Sequence, residues 1–117
     1  MIGPPYLVAI GGMTGAVLRH LVSEIVTMDD FPAGTLTVNV LGSFVLAVVT
    51  FGGAGNTTVL VVGTGACGAF TTFSSFSYDV VTLWERDRRL VAAGYATANL
   101  VGALSVVMLV GFFLPNM

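Results

Sequence analysis

Between Gly63 and Ser77 the chain reads Gly-Thr-Gly-Ala-Cys-Gly-Ala-Phe-Thr-Thr-Phe-Ser-Ser-Phe-Ser, inside what would otherwise be a membrane-spanning apolar run. Hydrocarbon cannot hydrogen-bond to a backbone, so a Gly-rich, hydroxyl-rich interruption is tolerable only where protein or a water-lined cavity surrounds it. If the helix breaks near Gly68–Thr71, its first half ends in unpaired carbonyls that attract a cation. The second half then begins with free N–H groups that favour an anion. Around this stretch stand neutral hydrogen-bonding side chains, Thr35, Asn39, Ser43, Tyr95 and Asn99, and the rings of Phe73 and Phe76, whose edges carry partial positive charge. That set suits a small hard anion. Such an ion loses a large hydration energy in a narrow pore, and amide, hydroxyl and ring-edge contacts must replace its water without holding it tightly.

Other chemistries find no support. There is no Ser–His–acid set, no paired mid-membrane carboxylates, no nucleotide-binding glycine loop and no cofactor motif, so the chain does not read as an enzyme. Four arginines against six acidic residues, a net charge of −2, exclude an ordinary nucleic-acid binder. The single cysteine, Cys67, can form no intrachain disulfide, has no metal-ligating neighbours in sequence, and reads as a small packing residue. No charged leader or cleavage site flanks the first apolar run, which is expected to remain as a span.

The elements that must position these groups are four apolar stretches of about 20 residues, the length needed to cross a bilayer core. A hydrophobic fraction of 56% and a charged fraction of 9% place the 117 residues in one all-α integral membrane domain. The spans are expected at about residues 6–26, 33–51, 59–83 and 90–114. The loops between them are short, one with Asp29 and Asp30 and one reading Trp-Glu-Arg-Asp-Arg-Arg, so neighbouring helices should run antiparallel. In span one, Gly11-Gly-Met-Thr-Gly15 permits close helix approach. Arg19 near its end is either a snorkelling interfacial residue or the cation of an anion vestibule, and His20 is an interfacial packing residue or a proton relay. Thr35, Asn39 and Ser43 recur every four residues and form one polar stripe on span two, read as interhelical glue or as a pore-facing track. Phe73 and Phe76 lie near one face of span three, as core packing or as pore walls. Asp79 could solvate at the interface or cap neighbouring groups. On span four Gly94, Ala98 and Gly102 make a small-residue face, and Tyr95 with Asn99 a second polar patch. Trp84 and Tyr78 suit an aromatic belt.

Three motifs resemble the Fluc (CrcB) fluoride-channel family: Gly12-x-x-Gly-Ala-x-x-Arg19; Gly34-Thr-Leu-x-Val-Asn39 with Gly42-Ser-Phe44; and Gly65-x-Cys-Gly-x-Phe-Thr-Thr-Phe-Ser-Ser-Phe-Ser77. The chain departs from the family's common pattern at His20, Ala69 and Ser75. The resemblance implies an antiparallel dimer with two narrow fluoride pores and a broken third helix. It implies Phe73 and Phe76 as ring edges facing the ions, Asn39 as the pore amide, Arg19 as the vestibule cation and Tyr95 as the tyrosine of the fourth helix. Ser43 and Asn99 would extend the track. Backbone carbonyls of Gly68 and Thr71 would hold a structural Na⁺ at the dimer centre, one that is not transported. The function implied is passive export of cytoplasmic fluoride through the cell membrane, relieving fluoride toxicity.

Arg86, Arg88 and Arg89 fall in the loop after span three, on the side to which Arg19 is also close, and the opposite side has no Lys or Arg. The positive-inside rule then favours one orientation, with both termini outside. An inverted homodimer needs both orientations, so a heterodimer with an oppositely oriented homologous subunit stands beside the homodimer. Two readings compete with the channel. A four-span proton-coupled multidrug transporter would need a deep carboxylate, and Glu24 and Asp79 both lie late in their spans. A structural subunit would explain the small-residue faces but not the clustered polar groups.

Overall fold

The computed structural model describes residues 3–28 and 31–114; Asp29 and Asp30 of the first loop lie outside them. Every regular element among the described residues is helical, and four helical segments are long and apolar enough to cross a membrane: Pro4–Ile25, Ala33–Phe51, Asn56–Glu85 and Arg89–Phe113. We label Pro4–Ile25 α1 and Ala33–Phe51 α2. The third segment has two parts, α3 over residues 56–70 and α4 over Phe73–Glu85, and Arg89–Phe113 is α5. The third segment reaches three residues earlier than the expected start at 59, because Asn56, Thr57 and Thr58 already form a helical turn after Gly55.

Local chemistry sets the ends. Two prolines occupy the first turn of α1, where their missing N–H groups cost nothing. Pro32 precedes α2 as its N-cap. At the end of α4 the chain turns through Asp87 at φ 60°. The Arg88 N–H bonds to the carbonyl of Leu83 at 3.0 Å and the Asp87 N–H to that of Trp84 at 3.2 Å. This pair of bonds is a Schellman cap, with an aspartate where glycine is commonest.

Packing is carried by backbone contact. α1 lies against α3, whose Val59–Cys67 portion is a π-helix. A Cβ at Gly11 would collide with the Val61 carbonyl, and one at Gly15 with the Ala66 carbonyl. At Gly65 it would come within 2.6 Å of the Val8 carbonyl oxygen. Without side chains at these three points the two backbones touch, and dispersion over that contact replaces the hydrophobic drive that lipid cannot supply. α2 packs on α5, with Gly102 set against Val40, while Gly94 on α5 meets nothing. A small aromatic core joins the ends of α2, α4 and α5: Leu83, Ala92 and Tyr95 are buried, with Phe31, Leu36, Phe76 and Val80 packed against them. Most other large apolar side chains, among them Ile10, Met13, Val17, Leu104, Met108 and Phe112, point outward. In water that surface would be untenable; in a bilayer it is the lipid-facing surface.

Candidate functional site

The site begins at two threonines. Thr71 (φ −80°, ψ 161°) and Thr72 (φ −149°, ψ 124°) are extended, between the last helical turn of α3 and the first of α4. The backbone donors here go to side chains. The Thr72 N–H donates to Asn39 Oδ1 at 2.8 Å, and the Ser75 N–H donates to Thr72 Oγ1 at 3.0 Å, so Thr72 is the N-cap of α4. In a continuous helix those two N–H groups would bond to the carbonyls four residues earlier, those of Gly68 and Thr71. Both carbonyls therefore lose their helical partners. Thr71's own N–H and Oγ1 both donate to the Cys67 carbonyl, each at 3.0 Å, closing the preceding turn.

Asn39 enters from α2. Its side-chain amide pairs with the Thr72 peptide twice, accepting the N–H and donating through Nδ2 to the Thr72 carbonyl at 3.2 Å. The second Nδ2 proton goes to Asn99 Oδ1 of α5 at 2.9 Å. Asn99 in turn donates to the carbonyl of Tyr95, one turn back, at 3.0 Å. Gly42 on α2 makes the crossing possible, since a Cβ there would collide with the Thr71 methyl group. Three elements thus meet at one pair of extended residues.

Toward the loop between α4 and α5 the same surface becomes aromatic. Phe73 and Phe76 have ring centroids 5.9 Å apart, Phe76 stacks on Tyr95 at 5.7 Å, and Phe31 and Tyr95 meet in a T-shaped contact at 5.4 Å. Tyr95 is fully buried and donates its hydroxyl to Asp79 Oδ2 at 2.8 Å, with Thr35 beside the same hydroxyl. Asp79 is thereby engaged inside the fold, as the acceptor that lets a tyrosine hydroxyl be buried.

These groups border an open groove of about 620 Å³. Of the residues singled out by sequence, Asn39, Ser43, Phe73, Phe76 and Asn99 line it, as do Gly68 and Thr71. Phe73 is 79% exposed there. Three are not brought to it. Tyr95 lies behind the wall, backing Phe76, Thr35 stands beside the Tyr95 hydroxyl, and Arg19 sits half-buried on α1, outside the lining. His20 and Glu24 are exposed on α1. No group of three or more His, Cys, Asp or Glu residues capable of holding a metal occurs among the described residues. The carbonyls left without their helical partners at this point are those of Gly68 and Thr71. Sequence reasoning missed Thr72 as a helix cap, although a hydroxyl residue directly before the run Phe73–Val80 is the usual signal for one. It also missed Phe31, an aromatic residue in a loop whose partner is 64 positions away in the chain.

Residues 6–112 match the model of the family described as CrcB-like protein, Camphor Resistance (CrcB). The chain is 59% identical to "Fluoride-specific ion channel FluC 1" of Halobacterium salinarum over 86% of this chain and 84% of that protein. It is 50% identical to "Fluoride-specific ion channel FluC 2" of Haloarcula marismortui, covering 85% and 83%. To "Fluoride-specific ion channel FluC" of Mesorhizobium japonicum it is 41% identical over 94% of each. With the motifs around Asn39 and Phe73 now placed on one groove and the similarity running nearly end to end, this chain belongs to the CrcB family, and the relatives it resembles are fluoride-specific ion channels, not enzymes.

Proposed function

We propose that the chain is a fluoride-selective channel of the cell membrane that lets cytoplasmic fluoride leave passively down its electrochemical gradient. The observation that carries this reading is the groove wall itself: the exposed ring of Phe73 and the half-buried ring of Phe76 beside Ser43 and an Asn pair, with none of the chain's arginines in the lining. Ring edges and neutral polar groups offset part of an anion's dehydration without trapping it, which a bare guanidinium at mid-pore would do. Hydrogen fluoride crosses membranes as a neutral weak acid and ionises inside, so a passive anion pathway suffices to lower the internal concentration.

A groove open along one side is half of a pathway. An antiparallel second copy would close it and, by two-fold symmetry, create a second one. The same pairing answers the cation question. One chain offers the carbonyls of Gly68 and Thr71, too few for a hard cation, and a symmetry-related copy doubles the set. The exposed position of Gly68, where a Cβ would meet nothing within the chain, supports a structural Na⁺ held between two copies, which would fix the two broken helices against each other. In this assembly Arg19 would stand in the vestibule and Asn99 and Tyr95 would support the track.

The test is fluoride efflux from liposomes containing this chain alone, read by a fluoride-selective electrode beside a chloride trace. Rapid fluoride loss with chloride retained is the expected result. Fluoride retention both here and after co-expression with an oppositely oriented homologue overturns the reading. The arginine bias of the loop at Arg86, Arg88 and Arg89 favours such a homologue as partner. Accessibility labelling of a cysteine introduced at a terminus, in intact cells, decides it: one-sided labelling supports the heterodimer and an even split the homodimer.

A further inference from the structure

Asn39 has two amide protons, and both are committed within the chain, one to the Thr72 carbonyl and one to Asn99 Oδ1. The rotation that orients an asparagine amide is a broad sp³–sp² torsion, so partners rather than rotamer preference hold it in place. Of Asn39's partners, Thr72 is the peptide being held and Asn99 is the anchor. Asn99 is itself 5% exposed and fixed by its bond to the Tyr95 carbonyl one turn back on α5.

We infer that Asn99 is a positioning residue: by anchoring the Asn39 amide it keeps the Thr72 N–H away from the Gly68 carbonyl, and so keeps the cation-binding oxygens of the third span free. Remove the Asn99 acceptor and the Asn39 amide is released to rotate about that soft torsion. The Thr72 N–H then loses Oδ1, and the acceptor a helical backbone offers it is the carbonyl four residues back, that of Gly68. An unpaired N–H at membrane depth is costly, so the Thr72 N–H passes between the Asn39 and Gly68 oxygens, open to exchange on the way, and each visit to Gly68 withdraws one oxygen from the cation. Span four, which supplies no oxygen to that site, would in this way set its affinity. The functional half of this inference rests on the cation reading proposed above; the structural half does not.

The experiment uses the full chain and two readouts. Amide hydrogen exchange at Thr72 and Ser75 is followed by NMR in detergent micelles, and fluoride efflux from liposomes is titrated with Na⁺ against an organic cation. In Asn99→Leu, of similar size but without an acceptor, exchange at Thr72 rises about tenfold while Ser75, whose acceptor is the Thr72 hydroxyl, stays protected. The Na⁺ concentration for half-maximal efflux rises about tenfold as well. Asn99→Asp, which in its neutral form keeps both the acceptor and a donor, restores both readouts toward the parent. If Asn99→Leu does not fold, Asn99→Ala takes its place. Exchange at Thr72 within about twofold of the parent overturns the inference. Faster exchange with an unmoved Na⁺ titration overturns its functional half and leaves the clamp. A parent channel indifferent to Na⁺ overturns the cation reading instead, and exchange at Thr72 still decides the clamp.

Discussion

Two residues carry most of what can be tested one side chain at a time. Phe76 stacks on Tyr95, meets Phe73 at a tilt of 38° and lines the groove, so it is both a packing residue and a wall. Phe76→Ile keeps apolar bulk but removes the ring edge. Fluoride efflux should fall by about tenfold or more, with the protein still monodisperse in size exclusion, since a tenfold change needs a barrier increase of only about 1.4 kcal/mol. A variant with full flux would place the ring among packing residues only. Thr72 makes a different prediction, because its hydroxyl caps α4 through the Ser75 N–H. Thr72→Val, nearly isosteric, should destabilise the fold by about 1 kcal/mol in a denaturant titration, and Thr72→Ser should recover most of it.

At the scale of the helix, the most extensive contact among the described residues is that of α1 with α3, and glycines let the two backbones meet. Gly15→Val would drive a branched side chain into the Ala66 carbonyl, backbone that has nowhere to move. We expect a loss of about 1–3 kcal/mol or outright failure to insert as a monodisperse protein. Gly12→Ala is the matched control, since a Cβ there comes no nearer than 3.8 Å to the Gly65 carbonyl oxygen and should leave thermal stability unchanged. The spacing Gly11 to Gly15 announces such a contact in the sequence. Its partner does not follow from spacing, because Gly63, Gly65, Gly94 and Gly102 are equally small, and Gly94 meets nothing in the chain. Likewise the polar stripe Thr35, Asn39, Ser43 is legible as one face of α2, yet each member finds different company: a buried tyrosine hydroxyl, the Thr72 peptide and the open groove.

For the whole molecule the decisive surface is the groove side, where Gly68 lies exposed at the two threonines. A Cβ at Gly68 meets nothing within one chain and the position is exposed, so a Gly68→Leu monomer should fold normally. If a second copy covers this face, the same substitution should abolish the dimer, read as a halved mass in light scattering of the detergent-solubilised protein, and with it fluoride efflux. A variant that remains dimeric would move the interface elsewhere. By itself the sequence determined the class of the molecule: four apolar runs of bilayer length, one of them interrupted by glycine and hydroxyl residues, leave a backbone that only a membrane helix could otherwise satisfy. It also named the chemistry, since residue types carry hydrogen-bonding capacity and ring polarity wherever they sit. What only the tertiary structure decided is who spends those bonds on whom. Asn39 read as interhelical glue or as a pore-facing amide in the sequence, and in the fold both of its protons are taken, one by a peptide 33 residues away and one by a side chain 60 residues away. Asp79 read as an acid that either solvates at the interface or caps neighbouring groups, and the fold makes it the partner of a buried tyrosine. Such pairings depend on which helix faces which, and helix periodicity fixes the face of a residue but not the neighbour across from it.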